Sequence, residues 1–162
     1  MATEKWIAGA VTTWQALFGT EINSLPNGSG VISSVVFDNT VNLDVFSVIS
    51  INLGSVTPTG GFIGIYWYEL NTAAGASGSS GLADGTVYGD GRFGSAAVGP
   101  PPSLWTAALI PCVAAAGIIT GVVSKVPLPL KKAKAVLYNG SGVSLAATLN
   151  NVSIQTFNRS VV

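Results

Sequence analysis

The stretch VNLDVFSVISINLGSVTPTGGFIGIYWYEL, Val41 to Leu70, decides the fold. From Val41 to Leu53 the odd positions run Val41, Leu43, Val45, Ser47, Ile49, Ile51, Leu53, while the even ones begin Asn42, Asp44, Phe46 and end Ser50, Asn52. Alternation with a period of two gives one apolar and one mostly polar face, which is what a half-buried strand requires. The segment Ser55 to Gly61, SVTPTGG, turns the chain into a partner strand, Phe62 to Leu70. That partner is apolar on both faces, with Phe62, Tyr66 and Tyr68 against Ile63, Ile65 and Trp67, so it is expected to lie centrally with cover on both sides.

Outward from this pair the chain keeps the same character. Asn23 to Gly30, NSLPNGSG, is a turn cluster, and Val31 to Phe37 follows as a β-rich strand that Asp38–Thr40 turns into the central one. Towards the C-terminus, Leu104–Ile110, Gly117–Val126, Ala133–Tyr138, Val143–Leu149 and Val152–Asn158 are short β-like runs divided by turn signals. Asn139-Gly140 between two apolar runs is a hairpin signal. Val126–Lys132, VPLPLKK, is excluded from a sheet interior by its two prolines, and its lysines with Lys134 are expected to protect an exposed edge. Eight or nine strands and no helix-period segment with caps predict an all-β, two-sheet antiparallel β-sandwich of jelly-roll type, with residues 1–162 as a single domain.

Two segments stand apart. Glu4 to Phe18 carries Trp6 and Trp14, which are costly to leave in water, so residues 1–18 form an opening strand pair or an arm. Such an arm folds back on its own sheet or packs on a neighbour. Residues 71–103 contain no strand signal and predict a long irregular loop. Within it Tyr88–Gly94, YGDGRFG, places Tyr88, Arg92 and Phe93 on glycine hinges, and Pro100, Pro101 and Pro102 favour an extended path. Either Tyr88 and Phe93 cap the core, or the loop reaches onto another subunit. On the second reading Trp6, Trp14, Tyr88, Arg92, Phe93, Pro100–Pro102 and Trp105 form a candidate assembly interface, aromatic and arginine side chains being those enriched at binding hot spots.

Composition excludes much of the usual chemistry. Seven basic and seven acidic residues give a net charge of zero and a charged fraction of 9%, so no basic footprint invites nucleic acid or an anionic membrane. The absence of histidine removes His-based triads and most zinc sites. There is no Gly-x-Ser-x-Gly elbow and no Gly-Lys pair for a phosphate loop. Gly89–Gly94 matches G-x-G-x-x-G but is followed by SAAVGPPP in place of a helix, so it is not a dinucleotide fingerprint. Asp84 and Asp90, with Glu69, lack both the motif of a glycosidase acid pair and the spacing of a calcium loop. The single cysteine, Cys112, sits in an apolar run and reads as a buried, inert thiol. No cofactor and no catalytic residue are expected. The opening MATEKW lacks a basic segment leading into an apolar core, so no secretory route is expected, and the apolar window Ala107–Val123 is too broken to span a membrane. A surface so poor in charge is weakly protected from association and suits a permanent protein partner.

The segments MATEKWIAG (1–9), FGTEINSL (18–25), YGDGRFGSAAVGPPPS (88–103), VLYNGSGVSLA (136–146) and NRSVV (158–162) resemble those of a family of small tailed-bacteriophage virion proteins, the head-decoration or cement proteins of β-sandwich type. The tract Gly75–Gly81 departs from that pattern as an addition. The resemblance implies a non-enzymatic protein on the capsid surface that binds the major capsid protein and stabilises the assembled shell, as a homodimer or homotrimer. The alternative is a tail or fibre component that binds a host glycan, which exposed aromatics such as Trp67, Tyr68 or Trp105 in a groove would favour.

Overall fold

Strand pairing follows a folded-over hairpin. The computed structural model describes residues 4–69, 87–89, 105–129 and 132–161. Ten strands are assigned among them: β1 (Glu4–Ala8), β2 (Gln15–Ala16), β3 (Ser29–Asp38), β4 (Phe46–Val56), β5 (Phe62–Glu69), β6 (Val87–Gly89), β7 (Trp105–Pro111), β8 (Gly117–Pro127), β9 (Lys132–Gly140) and β10 (Asn151–Val161). Thr20–Ile22 adds one 3-10 turn. Successive partners are β1 with β10, β3 with β9, β4 with β8 and β5 with β7, all antiparallel. Wrapping that long hairpin about a core produces two sheets, β1-β10-β4-β8 and β6-β3-β9-β5-β7, with β2 also on β10. This is the jelly-roll arrangement, in which two Greek keys close a sandwich.

The alternation quoted from β4 is realised from residue 46 onward. Ser47, Ile49, Ile51 and Leu53 are buried, while Phe46, Val48 and Ser50 are partly exposed and Asn52 is exposed. The core they enter also holds Ile63, Ile65 and Trp67 of β5, Ala135 and Leu137 of β9, and Val152 and Ile154 of β10. Upstream the expectation fails: Val41, Leu43 and Val45 are exposed, and Leu43 adopts a left-handed φ of 50° that no strand tolerates. β4 and β5 are moreover not a hairpin, because they lie in opposite sheets. The segment 57–61 crosses the sandwich, which hydrophobic alternation alone does not distinguish from a turn within one sheet.

β5 is nevertheless interior, between β9 and β7, and from Ile63 to Trp67 it is buried on both faces. Its outward Tyr66 belongs to a second buried cluster with Ile32, Val136 and Tyr138, against which Phe62 packs. Four further expectations are corrected. Lys132 and Lys134 do not guard an edge: β9 is a central strand, Lys134 is only 1% exposed, and Lys132 pairs with Asp38 at 3.0 Å, while Lys131 lies outside the described residues. Val143–Leu149 is a loop, and Asn139-Gly140 closes no hairpin, since β9 and β10 belong to different sheets. The interval 71–103 contains β6, which pairs Val87–Gly89 with Val31–Ser29 at the far edge of the second sheet.

Candidate assembly surface

Each end of the sandwich is fastened by a buried polar hub, and these hubs hold the faces rigid. At one end Asn139, fully buried, donates to the carbonyls of Leu25 (2.9 Å) and Val143 (2.8 Å) and accepts from Ser141 Oγ (2.7 Å). Asn150 adds bonds from its amide to Asn23 Oδ1 (2.8 Å) and to it from Gly54 N–H (3.0 Å). The loops after β2 and β9 and the end of β4 are thereby tied together. Backbone bonds from Thr59 N–H to Ser141 O and from Cys112 N–H to Gly61 O complete that end.

The opposite end is organised by Asp44, 2% exposed. Its Oδ2 accepts from Ala10 N–H (2.8 Å) and Thr156 Oγ1 (2.5 Å), and its Oδ1 from Asn158 Nδ2 (2.7 Å). Asn39 brackets its backbone, accepting from Asp44 N–H and donating to Asp44 O, each at 2.8 Å, and also donates to Pro129 O (2.9 Å). Among the described residues the carboxylate is held by these three donors and by no ion pair, an arrangement that stabilises because the buried oxygens are hydrogen-bonded. Its effect is to clamp the N-terminal strand against β10. Of the alternatives for residues 1–18, the described part takes the first and folds back on its own sheet.

On the outer face of the first sheet this clamp presents an aromatic cleft of about 230 Å³, lined by Trp6, Phe46, Val48, Phe157, Ser124 and Lys125. Trp6 meets Phe46 edge-on, with ring centroids 5.4 Å apart, and remains 45% exposed. Lys125 Nζ lies 5.9 Å from the Trp6 ring centre, within cation–π range. It arrives there through a bulge: Val126 faces Ser47 and Val123 faces Ile49, leaving Ser124 and Lys125 opposite Val48, with Lys125 at φ 58°. Bulges of this kind re-aim a side chain that regular pleating would send elsewhere. The cleft is almost wholly apolar and suits an apolar side chain better than a sugar, which needs convergent polar groups.

The sequence-derived interface residues are distributed as follows. Trp6 lines the cleft, and Trp14, 49% exposed, lies just before β2, so both flank β10. Tyr88 and Trp105 lie on β6 and β7, the opposite edges of the second sheet, so they do not form one patch. Arg92, Phe93, Pro100, Pro101 and Pro102 fall outside the described residues, as do Asp84 and Asp90. Trp67, named for a glycan groove, is instead in the core at 2% exposure, tilted against Phe37. Phe46, Phe157 and Lys125 were missed. The two phenylalanines were legible as apolar residues on otherwise polar faces, whereas Lys125 needed the bulge.

Two further cavities lie at the Asn139 end. One of about 290 Å³ is bounded by Pro58, Cys112, Val113 and Ile119, and another of about 490 Å³ by Asn27, Thr59, Phe62, Tyr138 and several glycines. Cys112 is buried, and burial pushes its thiol pKa up, away from the reactive thiolate. Among the described residues no group of three potential metal ligands occurs, and no helix is long and apolar enough to cross a membrane. No family model, curated protein or solved structure matches the chain.

Proposed function

We propose that this chain is a non-enzymatic virion structural protein that binds the major capsid protein at the capsid surface and stabilises the assembled shell. The observation that carries the reading is the exposed apolar surface on a rigid sandwich: Trp6, Trp14, Leu109, Val113, Ile118 and Val122 all face solvent on a chain with a charged fraction of 9%. Such a surface favours a lasting partner over a free monomer. The resemblance of its terminal and loop segments to phage decoration proteins supplies the kind of partner. The jelly roll is compatible with that role without selecting it, since one fold hosts many functions. Stabilisation follows by mass action when the protein prefers assembled shell to loose subunits.

The test is the copy number of this chain in purified particles relative to the major shell protein. A ratio of one, or a simple fraction of one, supports a capsid-wide cement. A handful of copies per particle moves it to the tail, and absence from particles refutes both placements. A low copy number would favour the second reading, a tail or fibre module that binds a host glycan, for which a glycan array is the direct assay.

A further inference from the structure

β7 and β8, consecutive strands at the edges of opposite sheets, close one lateral side of the sandwich, where Ile110 packs over Gly121 so closely that an added Cβ would stand 2.6 Å from it. From Phe93 to Ser124 the sequence has no charged residue. β8 ends the first sheet, and among the described residues its only ladder is with β4. Its outward positions are Ile118, Thr120, Val122 and Ser124, all exposed, with Ile118 at 59% and Val122 at 68%. A long uncharged edge is the feature that proteins ordinarily blunt, because its unpaired amides and carbonyls template another strand. The ladder with β4 has two register shifts. One is the β8 bulge that, with Lys125 and Pro127, stops regular pairing beyond Val123. The other, between Leu53 and Val56, puts its extra residue on β4 and leaves Gly117–Val123 of β8 regular. The other edges differ. β6 has three residues, β1 begins Glu4-Lys5, and β7 is interrupted by a register shift and ends in Pro111.

We infer that β8 is a homodimerisation edge, pairing antiparallel with β8 of a second copy about a twofold axis at Thr120. The sequence pattern selects both the occupant and the register. With Thr120 on the axis, Ile118 faces Val122 of the partner subunit, and Val122 faces the partner's Ile118. A shift of two residues either way sets Ile118 or Val122 against a hydroxyl or an alanine, and a shift of one turns exposed side chains against core-facing ones. The apolar positions of this strand are thus complementary to their own copy, as an isologous contact demands. Pairing over Gly117–Val123 adds about six to eight ladder hydrogen bonds and two apolar cross-strand pairs. It would join the two four-strand paths into one continuous sheet.

Sedimentation velocity on the purified protein tests this without reference to shells. The wild type is expected to be a dimer, Ile118→Glu and Val122→Lys each a monomer, and the two substitutions combined a dimer again, because each glutamate then faces a lysine across the axis. Within one chain positions 118 and 122 are four residues apart along a strand, too far to pair with each other. Thr120→Cys should oxidise to a cross-linked dimer, the native Cys112 being buried. A monomeric wild type, a dimer that survives either single substitution, a combined variant that stays monomeric, or failure of Thr120→Cys to cross-link overturns the inference. Circular dichroism checks that the variants fold, and the cross-link supplies an answer independent of the charge series. The inference rests on the strand edge and not on shell binding, so a monomer that still occupies particles would sink this interface and leave the proposed function standing.

Discussion

Asp44→Ala should loosen the N-terminal strand before it unfolds the domain. The carboxylate accepts three hydrogen bonds, and removing it strands the donors unequally. Ala10 is exposed, so water can replace its bond, whereas Thr156 is buried and Asn158 half-buried. Bonds to a charged acceptor contribute about 1.5–3 kcal/mol each, so losing two gives an expected cost of about 3–6 kcal/mol. For a chain of this length that lowers Tm by about 6–24 °C. Asp44→Asn should cost about half as much, because an amide keeps one accepting oxygen while its NH2 group opposes another donor. Urea denaturation followed by tryptophan fluorescence measures the global cost, and hydrogen exchange measures the local one. The amides of Gly9 and Val11, bonded to Thr156 O and Thr156 Oγ1, should lose protection first. If Asp44→Ala lies within about 0.5 kcal/mol of the wild type, the hub is not what fastens the strand.

Gly9→Ala attacks the same junction by crowding: an added Cβ would lie 2.4 Å from Thr156 Oγ1 and 2.7 Å from Asp44 Oδ2 and the Thr156 carbonyl carbon. A loss of about 1–3 kcal/mol is expected, with strong non-additivity when combined with Asp44→Ala, measured as a double-mutant cycle. Tyr66 should make the protein alkali-sensitive, because burial, assisted by Tyr138, pushes its pKa up to about 12 from an unfolded value of 10. A raised pKa means that stability is complete below pH 10 and falls as pH rises from 10 towards 12, while the unfolded chain ionises first; denaturation midpoints across that range check the sign. Cys112 should react with a thiol reagent only at the rate of opening, and rapid labelling of native protein would contradict its burial.

Much of the sandwich was legible in local pattern. Alternation in β4, the β-rich composition of β3 and the two-faced apolar run of β5 identify strands because burial acts on each residue at its own position. What those patterns cannot carry is partnership. β4 and β5 are consecutive yet in opposite sheets, and Asn139-Gly140 satisfies a hairpin rule while Asn139 serves as a buried clasp for Leu25. Val143–Leu149 has strand composition, but only Leu145 of its large side chains is buried, and Leu149 sits at φ 64°. Asp44 read as one polar residue in an alternating strand. Its role became visible only when Ala10, Thr156 and Asn158 converged on it, two of them more than a hundred positions away. The same limit applied to the candidate interface: Tyr88 and Trp105 are close in sequence to one loop but stand on opposite sheet edges.

Pairing along β8 has a consequence for how such a protein would hold a shell. In the doubled sheet each β1 strand is outermost, and the two are separated by seven strand spacings, about 34 Å at the usual interval. Both Trp6 clefts then open on the same face, one at either side of the axis. A dimer could engage two shell subunits at once, the second contact being intramolecular and strengthened by its effective concentration. On the shell-binding reading, Val122→Lys should therefore weaken attachment to particles by at least 10²-fold although position 122 touches no cleft. Trp6→Ala should weaken both the dimer's and the monomer's attachment. Binding isotherms on particles stripped of this chain separate the two effects. Equal affinity for dimeric and monomeric forms would show that the clefts do not act together, and an unchanged Trp6→Ala would place the shell contact on another face.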